Sequence, residues 1–139
     1  MIVMDCNAAI EIIQNTTQGD ALCQLIEKGE IIVSPQLFCA ELDYTVAKYM
    51  RAGVVDHTRA HAMIEQALDL VDEFVDMQEN CIEAFDEGIR NNHSTYDMYY
   101  LTLARRNGAT LFTLDRRLIA LCKKLKIDCI HAVSLEEPA

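Results

Sequence analysis

Four carboxylates are spaced so that they could share one piece of chemistry. Asp5 closes the apolar run MIVMD and Asp115 closes ATLFTLD, each at the end of a strand-like segment and directly before a helix-like one. Asp97 stands at the front of HSTYDMYYLTLA (93–104), an otherwise apolar and aromatic helical stretch. Glu41 falls inside a helical stretch, with Phe38, Leu42, Thr45 and Tyr49 on one side and Leu37 and Tyr44 on the other, at about 100° per residue. Lys48 shares that face but lies two turns away, which is long for a direct pair. Capping offers an ordinary use for three of the acids: Asp5 and Asp115 as N-caps, and Ser94-x-x-Asp97 as a capping box. Glu41 resists such a reading.

In an open parallel α/β sheet, ligands bind outside the carboxyl ends of the strands. Four acids gathered at that edge would repel severely unless neutralised. Mg²⁺ or Mn²⁺ meets the need, because such ions take carboxylate oxygens and water and sit beside substrate phosphates. They also activate water and clamp a leaving oxygen. The chemistry these residues point to is metal-dependent hydrolysis of a phosphodiester.

The elements that must position them alternate. MIVMD, EIIVS, EFVDM (73–77), ATLFTLD and IDCIHAV (127–133) read as strands. Helices are expected over NAAIEIIQ and over DALCQLIEKG with Gly29 as C-cap. Another runs from about 35 to 51 with Ser34 as N-cap and Pro35 in the first turn, ended by Gly53. Further helices cover about 55–71, 79–91, Ser94 to Asn107-Gly108, and RRLIALCKKL. The fold expected is α/β, a three-layer α/β/α sandwich around a parallel sheet of about four to five strands. The 139 residues form one domain with a core over about 2–131 and a short C-terminal tail.

Composition excludes several classes. Hydrophobic residues make up 51% of the chain, which argues against disorder. No apolar run approaches a membrane span and no signal-peptide pattern opens the chain, so a cytoplasmic protein is expected. The six cysteines show no CxxC pair or zinc spacing and read as reduced thiols. The net charge of −10 is unevenly spread. Nine acids lie between Glu65 and Glu87 with no Lys or Arg among them, whereas 105–126 holds seven basic residues and one acid. An acidic total therefore does not exclude a local anion site.

Three segments in order give a resemblance to the PIN domain family, most closely the VapC-like toxin ribonucleases, over nearly the whole chain. IVMDCNAA resembles the opening strand and first acid, with Asn7 where the family often has Ser or Asn; PQLFCAEL resembles the helix bearing the second acid, Glu41. HSTYDMYYLTLARRNGATLFTLDRRL resembles the SxYDxxYLxLA…T-x-D segment and is the specific part. It supplies Asp97, Asp115 and Thr113, and departs from the pattern only where Met98 replaces a usually small residue. The resemblance implies an endoribonuclease using one or two Mg²⁺ or Mn²⁺ ions held by Asp5, Glu41, Asp97 and Asp115, directly or through water. Asn7, Ser94 and Thr113 would then orient water or the acids. It also implies a homodimer and a small antitoxin protein as partners, with RNA as substrate.

Arg116 and Arg117, beside the last acid, are candidate RNA contacts. Tyr96, Tyr99 and Tyr100 could stack bases, although core or dimer surface suits Tyr99 and Tyr100 better. His57, His61, His93 and His131 form no catalytic set, and HTRAH lacks the glutamate of HExxH. A haloacid-dehalogenase-like phosphatase would want DxD where position 7 is Asn, and a receiver domain a lysine that IDCIHAV does not offer. There is no P-loop or GxGxxG. The rival reading is a catalytically silent PIN-like domain that binds RNA or protein without turnover.

Overall fold

Apolar residues alternate between the two faces of short strands, and that alternation divides the core. The computed structural model describes residues 1–130. Its strands are β1 (Ile2–Met4), β2 (Ile32–Pro35), β3 (Glu73–Val75) and β4 (Thr110–Phe112), all parallel, in the order β3-β2-β1-β4. The helices are α1 (Cys6–Ile13), α2 (Thr17–Gln24), α3 (Leu37–Arg51), α4 (His57–Asp69), α5 (Cys81–Asn91), α6 (Thr95–Asn107) and α7 (Arg116–Lys124). Ile2, Met4, Ile32 and Phe112 point into an apolar cluster with α1 to α4. Val3, Val33 and Leu111 point the other way, into a cluster with α5, α6 and α7. The expected α/β/α sandwich results, with both sheet faces covered as parallel strands require.

The chain builds outward from β1 through β2 to β3, then returns to lay β4 on the other side of β1. That reversal puts a switch point between β1 and β4, where α/β sheets open a crevice at the carboxyl ends. Asp5 and Asp115 follow these two strands.

Several local expectations are corrected. Ser34 does not cap α3, because its buried hydroxyl donates to the Met4 carbonyl at 2.8 Å and stitches β2 to β1. Pro35 ends β2, and α3 starts at Leu37 after Gln36, with no side-chain cap. Gly29 is not the cap of α2, which ends at Gln24 as Leu25 and Ile26 turn back in three-residue bonds to Leu22 and Cys23. Ahead of α5 a single 3₁₀ turn occupies Met77–Glu79. Of the expected fifth strand, the described part pairs only as a Leu111–Cys129 bridge. Residues 131–133, His131 and the C-terminal tail lie outside the described residues. Met98 is fully buried among the α6 side chains of the core.

The acidic middle and the basic C-terminal third meet across α5 and α6. Arg105 bonds both Glu83 and Glu87, Arg106 bonds Glu83, and Arg90 bonds Glu87. Burial would push the Glu87 carboxyl up, but the Arg105 and Asn91 bonds outweigh it and hold its pKa below the ordinary value. These arginines are thus committed to the fold.

On the other face, α1 and α2 meet with no room to spare at Gly19. A Cβ there would lie 1.9 Å from the Glu11 carbonyl oxygen and 2.7 Å from the Ile12 nitrogen, both backbone atoms that cannot yield cheaply. Gly19→Ala is expected to lower the unfolding free energy by about 3 kcal/mol, measurable by urea denaturation against the parent chain.

Candidate functional site

Asp5 leaves β1 and caps α1, its Oδ1 accepting the Asn7 N–H at 3.1 Å. Its Oδ2 accepts the Thr113 hydroxyl at 2.8 Å, and the Thr113 oxygen in turn accepts the Asp115 N–H at 3.1 Å. Asp115 Oδ1 then caps α7, taking the N–H groups of Arg117 and Leu118 at 2.9 and 3.2 Å. Thr113, fully buried, therefore ties the ends of two neighbouring strands. The T-x-D spacing has a physical reason here. One hydroxyl donates to the first acid and accepts from the backbone of the second.

Glu41 reaches this edge from α3, in the opposite layer to α6, and accepts the Tyr100 hydroxyl at 2.5 Å. Tyr100 is buried, and burial together with the Glu41 and Asp5 charges holds its pKa well above the ordinary range, so it serves as a neutral donor. Lys48 is not its partner: the ammonium sits 5.6 Å over the ring of Tyr44.

Asp97 does not complete a capping box. The Ser94 side chain makes no capping bond, and Asp97 Oδ2 lies 2.8 Å from His93 Nε2. The loop holding His93 is tightly built. Asn92 ends α5 in the left-handed region at φ 48°, and the His93 N–H donates to the Gly88 carbonyl. At Gly88 a Cβ would meet Thr95 Cγ2 at 2.7 Å and the His93 carbonyl oxygen at 3.2 Å. The loop can close on α5 because that position has no side chain.

Charge couples three of the acids. Burial, joined by the Glu41 and Asp97 charges and opposed by the Thr113 and Asn7 bonds, lifts the Asp5 carboxyl from 3.8 to about 7. Burial also lifts Glu41, the Tyr100 bond lowers it, and Asp97 adds to the rise. Asp115 joins them through Thr113. Asn7 is exposed at the mouth of the site, Ser94 is exposed, and Arg116 and Arg117 stand exposed on the first turn of α7.

Of the two anchors that sequence reasoning missed, spacing carried a signal for one. His93 lies four residues before Asp97, a helical-neighbour distance, whereas Tyr100 meets Glu41 across 59 residues.

Among the described residues, no three His, Cys, Asp or Glu side chains stand together as a ready-made metal cage. The donor set nevertheless suits a hard cation that keeps much of its water, since Mg²⁺ is held by one or two carboxylates and substrate phosphates. Glu41 Oε2 and Asp97 Oδ1 accept no hydrogen bond among the described residues and are the oxygens open to it. Beside them lies a groove of about 550 Å³ whose lining includes Asn7, Leu37, Glu41, Tyr44, Thr45 and Tyr96.

A family profile described as the PIN domain matches residues 2–124. Among solved structures, PAE2754 from Pyrobaculum aerophilum is similar over 96% of this chain and 92% of its own, at 20% identity and a TM-score of 0.73. VapBC2 from Rickettsia felis, solved bound to a DNA fragment from their promoter, is similar over 94% of this chain and 98% of its own, at 19% identity and a TM-score of 0.65. At these identities the likeness is one of fold. A comparison with curated proteins finds no match.

The buried acid has a consequence for pH. The folded pKa of Asp5 lies above its unfolded value, so the folded chain holds the proton more tightly and loses stability as pH rises from about 4 through about 7. In metal-free protein, Asp5→Asn is expected to melt near the parent at about pH 4 and several degrees higher at about pH 8. Thermal melts of both chains across that range check it, and a difference that does not grow with pH refutes it.

Proposed function

The chain belongs to the PIN domain family, and from that premise we propose that it is a metal-dependent endoribonuclease, the VapC-like toxin of a toxin–antitoxin pair. PIN domains are generally nucleases, and the observation that carries the reading is the electrostatic meeting of Asp5, Glu41 and Asp97. They come from three separate elements to one sheet edge. Asp5, Glu41, Asp97 and Asp115 would hold one or two Mg²⁺ or Mn²⁺ ions, directly or through water. Such an ion, when bound, supplies positive charge to the scissile phosphate and makes water a better nucleophile.

The chain's own residues hold that edge in place. Thr113 orients Asp5, Tyr100 orients Glu41 and His93 orients Asp97, with Glu41 Oε2 and Asp97 Oδ1 left unbonded among the described residues. Asn7 and Ser94, both exposed, would orient water, and Arg116 and Arg117 would contact RNA phosphates. One domain spanning residues 1–139 and a cytoplasmic setting complete the proposal. Among the described residues, no helix is long and apolar enough to cross a membrane.

A homodimer draws support from α5. Ile82, Phe85 and Ile89 are 79%, 58% and 68% exposed and recur at helical spacing, forming one apolar stripe. Glu83 and Glu87 of the same helix are already paired with arginines of the same chain, which leaves Asp86, exposed at the edge of the stripe, as the acid that a second copy would have to accommodate. The antitoxin, a small protein inhibiting the same chain, is the second partner proposed. The silent RNA- or protein-binding alternative draws only on the lack of a ready-made cage of three ligands.

Two experiments test these readings. With Mn²⁺ or Mg²⁺ the parent should cut single-stranded or structured RNA, and chelation should stop it. Asp5→Asn and Asp97→Asn should each slow cleavage by about 100-fold or more. An inert parent removes the nuclease assignment, variants that cut equally well remove the assignment of these residues, and RNA binding that survives Asp97→Asn without cleavage in the parent favours the silent module. For the dimer, Phe85→Glu should shift the protein to monomer in light scattering, an expectation that fails if the parent is itself monomeric.

A further inference from the structure

We infer that the groove beside Glu41 is a binding subsite for one unpaired nucleotide of single-stranded RNA, its base held against Tyr44 and Tyr96. The inference rests on the ribonuclease reading and adds the two side chains of this chain that hold the base.

Glu41 belongs to both the groove and the acid group, so an occupant of the groove lies next to the place of cleavage. The volume of about 550 Å³ is that of an ordinary small-ligand site and has room for one nucleotide. The walls come from two helices. Tyr44 of α3 is 65% exposed and Tyr96 of α6 is 63% exposed, and neither phenol makes a hydrogen bond among the described residues. Such large exposed rings at the mouth of an acidic crevice are poorly explained by packing. Flat aromatic faces suit a nucleobase, since every base has a π-face to stack.

The polar groups agree. The Lys48 ammonium over the Tyr44 ring places positive charge beside the stacking surface, where a backbone phosphate adjoins a stacked base. The Asn7 amide and the Thr45 hydroxyl, also in the lining, can meet base edges or the 2′-hydroxyl. An aliphatic peptide finds less. Leu37 is the one large aliphatic side chain in the lining. Because Glu41 faces the same space, RNA should enter only when a divalent cation offsets that charge. A duplex keeps its bases paired and cannot offer one to the tyrosines.

The test uses a short single-stranded RNA carrying one 2-aminopurine, the same strand fully paired, and Ca²⁺ to permit binding. The parent should quench the single strand, bind the duplex more weakly, and lose binding when the cation is chelated. Tyr44→Ala and Tyr96→Ala should each weaken single-strand binding by about tenfold, and Tyr44→Phe and Tyr96→Phe should restore it. Both side chains are exposed, so melting temperatures should stay unchanged. Alanine variants that bind as the parent does, or equal affinity for the duplex, overturn the subsite. So does a groove whose tyrosines matter only for binding a partner protein. If the parent cuts RNA with Mn²⁺ while the alanine variants bind and cut normally, the subsite alone falls. If the parent neither binds nor cuts any RNA, the ribonuclease reading falls and takes the subsite with it.

Discussion

Burying Asp5 at the end of the central strand costs the fold stability that the Thr113 hydroxyl and the Asn7 amide offset only in part, as its elevated pKa records. The rest of the carboxyl edge is arranged around that charge. Glu41 and Asp97 add negative charge nearby, and among the described residues no arginine or lysine enters the forces that set the Asp5 and Glu41 carboxyls. Each acid is instead tethered by a different donor: a threonine, a tyrosine, a histidine and, for Asp115, two backbone amides. The threonine, tyrosine and backbone tethers are neutral donors, so they fix direction without cancelling charge, and negative potential is concentrated at this edge.

How much of this could be read from the sequence follows from the range of each interaction. The α/β/α architecture was legible because the strands alternate or run apolar and the helices carry their own period, both local signals. The capping roles of Asp5 and Asp115 were legible for the same reason. Ser34 was misread because its hydroxyl serves β1, a partner 30 residues away that outcompetes the local cap. The Ser94–Asp97 box was misread because His93, one residue earlier, takes the carboxylate. The Glu41–Tyr100 bond joins residues 59 apart in different layers. Only the topology brings them together, so the sequence could show that Glu41 lacked a partner but not which residue supplies it.

Charge along the chain has a similar lesson. The basic C-terminal third left room for a local anion site, yet Arg105 and Arg106 pair at the surface with the acids of α5. They clasp α5 to α6 and so steady the Asn92–His93 corner that presents His93 to Asp97. A run of like charge is thus an ambiguous sign, because its opposite may be elsewhere in the same chain. What remains at the surface near the acids is Arg116 and Arg117 on α7.

The position of β1 has one more consequence, for the time order in which the molecule comes together. The central strand is also the first one made, and its partner β4 is separated from it by most of the chain, as the Asp5–Thr113 bond across 108 residues shows. Until residues 110–112 emerge from the ribosome, one edge of β1 stays unpaired and Asp5 has no hydroxyl to meet it. A nascent or truncated chain that stops short of β4 therefore carries Asp5, Glu41 and Asp97 but lacks Thr113 and Asp115. The carboxyl edge is thus completed only when the last strand joins the first, so the group of four acids is a property of the nearly finished chain and of no shorter piece of it.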